Sequence, residues 1–470
     1  MDGNEFRKQA HHLIDWIADY IEQIEWYPVK SQVNPGEILK ALPDIPPEAP
    51  EAFEAIFKDF EKIIVPGISH WQSPKFHAYF PANSSYPSVL GEMLTAALGA
   101  QCMMWETSPA ATELEEKVLG WLKMSMGIPV GFSGVIQDTA STATLCALIT
   151  AREKSTEYAI NEEGFNSRSF RVYCSTETHA SIEKAVRISG IGKSNLVKTK
   201  VDSHLRLDVE ALEKAINEDI GNGLIPLCIV ATLGTTGTCA IDPLKKIADV
   251  SSKYGIWLHV DAAFAGTALL LDEYQWMAEG IELADSFVFN PHKWMLTNFD
   301  CSAYFVKDKE ALVKTFELIP EYLKSQTAVK VNNYKDWGIQ LGRRFRALKL
   351  WFVIRSFGLE GIRKKLREHI ELATQFEFWV EKSKDFELMI PRSLSIVCFR
   401  YNPLSSGSTR DLNRLNQQLL ENLNLSGQIY LSHTTVNDNY CIRMVIGQTN
   451  IEAGHIRESW ELILETTKYL

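Results

Sequence analysis

Three stretches of the chain, PLCIVAT at 226–232, GIWLHVD at 255–261 and SFVF at 286–289, are apolar at nearly every position rather than at every second one. A strand apolar on both faces has to be covered on both faces. Helical patterns fill the intervals between these stretches, and the arrangement that satisfies both facts is a mostly parallel sheet sandwiched by helices. The same alternation starts near Val135 and Ile136 and continues through 171–175, which runs out at Thr178-His179-Ala180-Ser181. The expected class is therefore α/β. Sheets of this kind take ligands at the carboxyl ends of their strands. His179, Thr232, Asp261 and Lys293 all fall at such ends.

Two of these residues are costly where they stand. Lys293 follows Asn290-Pro291, which stops the strand 286–289, and sits between His292 and Trp294. A lysine at a strand mouth among apolar neighbours loses hydration, which lowers its pKa and frees the amine to attack an aldehyde. A snorkelling surface lysine is the ordinary alternative. Asp261 lies among Trp257, Leu258, Val260, Ala262, Ala263 and Phe264, where a carboxylate needs a positive partner such as a protonated pyridine nitrogen. His259, two residues earlier, offers a His-x-Asp metal pair, but no third ligand is evident and no metal is expected. Thr139-Ala140-Ser141-Thr142 opens a helix with small and hydroxyl residues, leaving N–H groups and hydroxyls that suit a phosphate.

The chain of 470 residues exceeds one ordinary core, so a helical N-terminal segment (1–85), a large α/β domain (86–360) and a small α+β domain (361–470) are expected. With 46% hydrophobic and 23% charged residues it is a globular composition, and the net charge of -11 argues against nucleic acid or an anionic membrane as partner. Eight cysteines without a CxxC pair fit a reducing compartment, and no apolar run reaches membrane-spanning length, so a cytoplasmic location is expected. The first helix carries Phe6, Leu13, Ile14, Ile17, Ile21 and Ile24 on one stripe, and a second near 53–64 repeats the pattern. Such an arm docks either on a partner subunit or on its own body. The segment HWQSPKFHAYFP, 70–81, is too rich in aromatics for a free linker. It either packs or walls a flat ligand.

Several motifs then come together. HVDAAFAG, FNPHKW, TASTAT, THASIEKA, ATLGTTGT and LGRRFRALKLW resemble those of the group II pyridoxal-phosphate decarboxylases, and the chain is similar to aromatic-L-amino-acid decarboxylases up to about residue 360, more loosely beyond. The resemblance implies a fold type I enzyme with a seven-stranded sheet, working as a homodimer with its active site at the subunit interface. It implies pyridoxal 5'-phosphate as cofactor, joined to Lys293 as a Schiff base, with Asp261 at the pyridine nitrogen and His179 stacked over the ring. Thr139, Ala140, Ser141, Asn290 and His292 match phosphate and active-site contacts, and Thr232 and Ala263 match residues flanking the ring. Trp71, Tyr79, Phe80, Pro81, Met103, His292 and Gly342 match the substrate side. Gln101 and Met103 depart from the isoleucine and phenylalanine common there, which leaves the choice among phenol, catechol and indole rings open.

The stretch 317–337 lacks a clean period and reads as a long loop that closes over a site. In the family a tyrosine on this loop returns the proton, and Tyr322 is the matching position. The implied activity is decarboxylation of an aromatic L-amino acid (DOPA, tyrosine, phenylalanine, tryptophan or 5-hydroxytryptophan) to the arylalkylamine. Relatives with phenylalanine at that position resemble aldehyde synthases, the alternative activity, and a binding protein without turnover is the third reading. The arginines of 341–355, read as one amphipathic helix, serve either a phosphate or ion pairs.

Overall fold

A computed structural model describes residues 1–165, 168–318, 331–403 and 408–470 of the chain. It divides into one compact unit made of 82–368 and another made of 1–81 with 369–470.

The larger unit is built on a seven-stranded sheet. Its strands are β1 (Ser133–Gln137), β2 (Phe170–Ser175), β3 (Leu196–Thr199), β4 (Ile225–Thr232), β5 (Trp257–Asp261), β6 (Ser286–Phe289) and β7 (Ser302–Val306), in the order β1-β7-β6-β5-β4-β2-β3. All neighbours pair in parallel except those of β7, which runs antiparallel to both β6 and β1. The expected apolar strands are the central ones. Every residue of β5 and β6 is buried, because helices cover both faces of the sheet. The helix Ala140–Ser155 packs across the middle strands, with Ala143, Cys146, Ala147 and Leu148 buried in the main core beside Val230, Val288 and Tyr304. Its small residues let it approach the strands closely.

The helix Tyr86–Leu98 stops at Gly99, whose φ of 57° is the left-handed conformation that ends helices. One sequence expectation shifts here. The helix expected from Leu341 begins at Arg346, because Arg343 is committed elsewhere: its N–H donates to the Gln101 side-chain oxygen and its guanidinium to the Cys102 carbonyl and Glu115. From Arg346 it runs to Lys382 with one break at Gly358, where φ is 63° and only glycine is unstrained.

The smaller unit carries a four-stranded antiparallel sheet of β8 (Phe386–Leu388), β9 (Ile396–Tyr401), β10 (Ser432–Val436) and β11 (Asn439–Val445), ordered β10-β11-β9-β8. The turn between β10 and β11 has Asn437 and Asp438 at φ of 49° and 64°, the two-residue hairpin geometry that an asparagine-aspartate pair adopts at little cost. The helices Thr409–Leu425 and Ala453–Thr467 contribute Leu419, Leu423, Ile456 and Ile463 to its core. In the same unit lie the helix Gly3–Glu22 and the shorter Phe53–Asp59, joined by a Gln9–Glu54 hydrogen bond of 2.7 Å, and Trp16 donates to Glu61 in the turn Phe60–Ile64 that follows, at 3.1 Å.

Candidate active site

The carboxyl ends of β4, β5 and β6 lie side by side, so the register of the sheet places the candidate residues. Thr232 is opposite Asp261, and Asp261 is opposite Val288 of the strand that leads to Lys293. The chain leaves β6 at Asn290, whose N–H bonds to the Ala263 carbonyl at 3.0 Å and whose Oδ1 accepts from the Ser302 hydroxyl at 2.6 Å. Pro291 then opens a single helical turn, Pro291–Trp294, in which the Lys293 N–H bonds back to the Asn290 carbonyl at 2.9 Å.

Burial pushes the Lys293 amine below the ordinary lysine range, and the Asp261 charge pulls it partly back. His179 is lowered by burial, raised by Asp261 and lowered again by Lys293. Three groups from 179, 261 and 293 thus feel one another, which is the convergence expected from the strand ends. Asp261 is 5% exposed, and its Oδ1 accepts the Ala263 N–H at 3.1 Å. His179 occupies the cap position of the helix Ala180–Ile188, where its Nδ1 accepts the Ser181 N–H at 3.2 Å and meets the Ser181 hydroxyl at 2.7 Å. Fixing Nδ1 in this way sets the plane of the imidazole. His292 is held similarly, with Nδ1 accepting the Cys301 N–H at 2.9 Å, so its proton resides on Nε2. Burial takes this ring down to about 3 and keeps it neutral.

The donors fit pyridoxal phosphate. Thr139 caps the helix Ala140–Ser155 without a side-chain bond, so the first-turn N–H groups of Ala140 and Ser141 face an external acceptor. Among the described residues, the buried Thr232 hydroxyl has no hydrogen-bond partner, an orphan next to Asp261 that a ligand atom would satisfy. A desolvated amine for an aldehyde, a carboxylate for a pyridine nitrogen and a helix start for a phosphate are the three matches the cofactor needs.

The remaining expected residues have surroundings of their own. Trp71, Tyr79, Phe80 and Pro81 belong to the smaller unit, where Trp71 stacks on Phe76 at 4.3 Å and on Tyr79 at 5.8 Å, and the Arg443 guanidinium lies 5.8 Å from the Phe80 ring. A Cβ on Gly342 would meet Gln101 Nε2 at 3.2 Å, and the Met103 carbonyl accepts the Lys335 N–H at 2.8 Å. Tyr322 lies outside the described residues. His259 is buried, with Nε2 3.1 Å from the Thr144 hydroxyl and Nδ1 2.9 Å from that of Ser286, so both nitrogens are occupied by hydroxyls. Three of the four arginines of the 341–355 stretch form ion pairs, Arg343 with Glu115, Arg344 with Glu92 and Arg346 with Asp300, while the Arg355 guanidinium lies 4.8 Å from the Trp351 ring.

Sequence reasoning missed Asp242 and Asn83. Asp242 is fully buried behind β4 and accepts the Thr232 and Leu207 N–H groups, each at 2.8 Å. An acidic residue after GTTGTCAI carries no signal of its own, since its partners are backbone atoms ten and thirty-five residues away.

Fold and site together define a pyridoxal-phosphate enzyme of fold type I. The comparisons narrow this. The pyridoxal-dependent decarboxylase conserved domain matches residues 35–402, and the chain belongs to that family. It is 43% identical to tyrosine decarboxylase 3 of Petroselinum crispum over 477 residues, covering 98% of this chain and 92% of that protein. Phenylacetaldehyde synthase of Arabidopsis thaliana is also 43% identical, over 100% of this chain and 97% of its own. The crystal structure of Oryza sativa TDC with PLP and tryptamine superposes with a TM-score of 0.97 at 33% identity, covering 100% of this chain and 99% of that one.

Proposed function

We propose that the protein decarboxylates aromatic L-amino acids to arylalkylamines and CO2. The observation that carries the reading is the sheet order, which sets Asp261 at the end of β5 beside β6, the strand that leads to Lys293, and brings His179 from the end of β2 within reach of both charges. Bound pyridoxal phosphate supplies an acceptor for the negative charge left when CO2 departs. Lys293 would hold the cofactor through its aldehyde, and its lowered pKa favours the neutral, nucleophilic amine. Asp261 would hold a proton on the pyridine nitrogen, which would let the ring draw charge. His179 would lie at the ring, and the N–H groups of Ala140 and Ser141 with the Thr139 hydroxyl would hold the phosphate. Asn290, His292, Thr232 and Ala263 complete the cofactor wall. Neutral His292 offers an Nε2 proton to a carboxylate or phosphate oxygen. Tyr322 returns the proton to Cα, and Trp71, Tyr79, Phe80, Pro81, Met103 and Gly342 bound the aromatic side chain.

The active form is a cytoplasmic homodimer. Supporting it are exposed apolar side chains in the N-terminal arm, Phe6, Trp26, Leu39 and Ile45, and a second set on the helix Tyr86–Leu98, including Leu90, Leu94 and Leu98. All eight cysteines are free, as a reducing compartment requires. Purified protein with pyridoxal phosphate and a panel of DOPA, tyrosine, phenylalanine, tryptophan and 5-hydroxytryptophan tests the activity. Equal CO2 and amine without peroxide is the expected result. Aldehyde with stoichiometric peroxide establishes the synthase activity of the phenylacetaldehyde-forming relative instead, and no CO2 from any substrate overturns both.

A further inference from the structure

The turn that carries Lys293 does not hold itself. It is one turn of four residues opened by a proline, and its own bonds are Lys293 N–H to Asn290 and Met295 N–H to Pro291, at 2.9 and 3.1 Å. The His292 and Lys293 carbonyls are last-turn acceptors that a helix of this length leaves open. Both are met from outside by one residue. The Asn83 N–H donates to the His292 carbonyl at 3.1 Å, and the Asn83 side-chain amide donates to the Lys293 carbonyl at 3.0 Å. Asn83 is 1% exposed, so the two bonds are not exchanged with water. The same strap continues onward. Ser85 donates to the Leu296 carbonyl at 2.7 Å, fixing a leucine in the left-handed region at φ 53°, and Ser88 accepts the Asn298 N–H at 2.7 Å.

We propose that Asn83 is the positioning residue of the catalytic turn, gripping two successive carbonyls so that the Lys293 amine is presented to the aldehyde of a cofactor whose pyridine nitrogen Asp261 would hold. Asn83 touches neither cofactor nor substrate in this role and acts through the backbone of Lys293. The proposal rests on the reading of Lys293 as the cofactor lysine.

The test uses the full-length chain stripped of cofactor. Pyridoxal phosphate is added to the wild type and to Asn83→Asp and Asn83→Ala, and the rate of Schiff-base absorbance is followed. Samples are reduced with borohydride at intervals, and the tagged lysine is located by peptide mass. Aspartate keeps the volume of asparagine but turns an acceptor toward the Lys293 carbonyl. A gripping role therefore makes Asn83→Asp as slow as Asn83→Ala or slower, each by roughly ten- to a hundredfold, the range set by losing a buried hydrogen bond. A packing role predicts the reverse order, with Asn83→Asp near the wild-type rate, and that order overturns the proposal. Tagging of a lysine other than Lys293 in the wild type refutes the assignment of the lysine itself, a separate failure. Should neither variant accumulate folded, Ser85→Ala decides. It removes only the bond to Leu296 and is expected to slow capture by roughly threefold or more; an unchanged rate overturns the strap.

Discussion

Asp242 sets up a pH dependence of stability opposite to the usual one for a carboxyl group. Burial pushes it up to about 7, against the lowering effect of the Leu207 and Thr232 N–H groups that it accepts. The folded chain therefore holds this proton more tightly than the unfolded chain, whose carboxyl has the ordinary value of 3.8. Its contribution is fully present below about pH 4 and is lost as the pH rises through about 7. The rise from 3.8 to about 7 corresponds to about 4 kcal/mol, an upper figure because water penetration softens buried charges. The variant Asp242→Asn cannot ionise. Its amide keeps one acceptor oxygen, but the NH2 group opposes one of the two backbone N–H donors, a constant cost of about 1–3 kcal/mol. At pH 5 the variant is expected to be the less stable chain. At pH 8 the order closes or inverts, a relative change of up to about 3 kcal/mol between the two pH values, because only the roughly two pH units from pH 5 to about 7 fall inside the titration window. Urea midpoints of the cofactor-free proteins, each measured at both pH values, read this directly. Parallel displacement of the two curves, with the same difference at pH 5 and pH 8, would refute the reasoning. Because Asp242 also holds the Thr232 N–H beside Asp261, the variant is expected to bind cofactor more weakly as well.

Lys293→Ala removes the amine that condenses with the aldehyde, so the Schiff-base absorbance disappears while the folded far-ultraviolet spectrum stays; a surviving band places the linkage on another lysine. Tyr322→Phe is expected to slow amine formation and divert flux to aldehyde, ammonia and peroxide, read by assaying all three together; unchanged amine output removes Tyr322 from the proton step. Arg343→Met strands the buried Glu115 carboxylate, which also accepts the Ile136 N–H, and is expected to cost about 3–5 kcal/mol in a denaturant titration. Lys349 is the opposite case. Burial brings its ammonium down to about 8, so its protonation opposes folding, and stability rises as the pH climbs from about 8 towards the ordinary lysine value of 10.5. Lys349→Met is expected to be neutral or stabilising by up to about 3 kcal/mol at pH 7, since Glu92 keeps Arg344 as its partner, and to abolish that rise. A destabilised variant in a thermal scan contradicts this.

The sequence alone determined the class of the fold and singled out the candidate reacting groups. Runs such as GIWLHVD announce a doubly covered strand because no single-faced sheet tolerates them, and a lysine or aspartate at the end of such a run is costly enough to be noticed. The capped start at Thr139 and the turn at Asn437 were legible for the same reason, being local chemistry within a few residues. What only the tertiary structure decided are the relations across long separations. The order that sets Thr232 beside Asp261, the antiparallel insertion of β7, the ion pairing of Arg343, Arg344 and Arg346, and the grip of Asn83 on a turn 210 residues away leave no trace in periodicity. Each depends on a backbone group or a facing side chain whose position the strand packing creates. A polar residue in sequence does not reveal which carbonyl it will find.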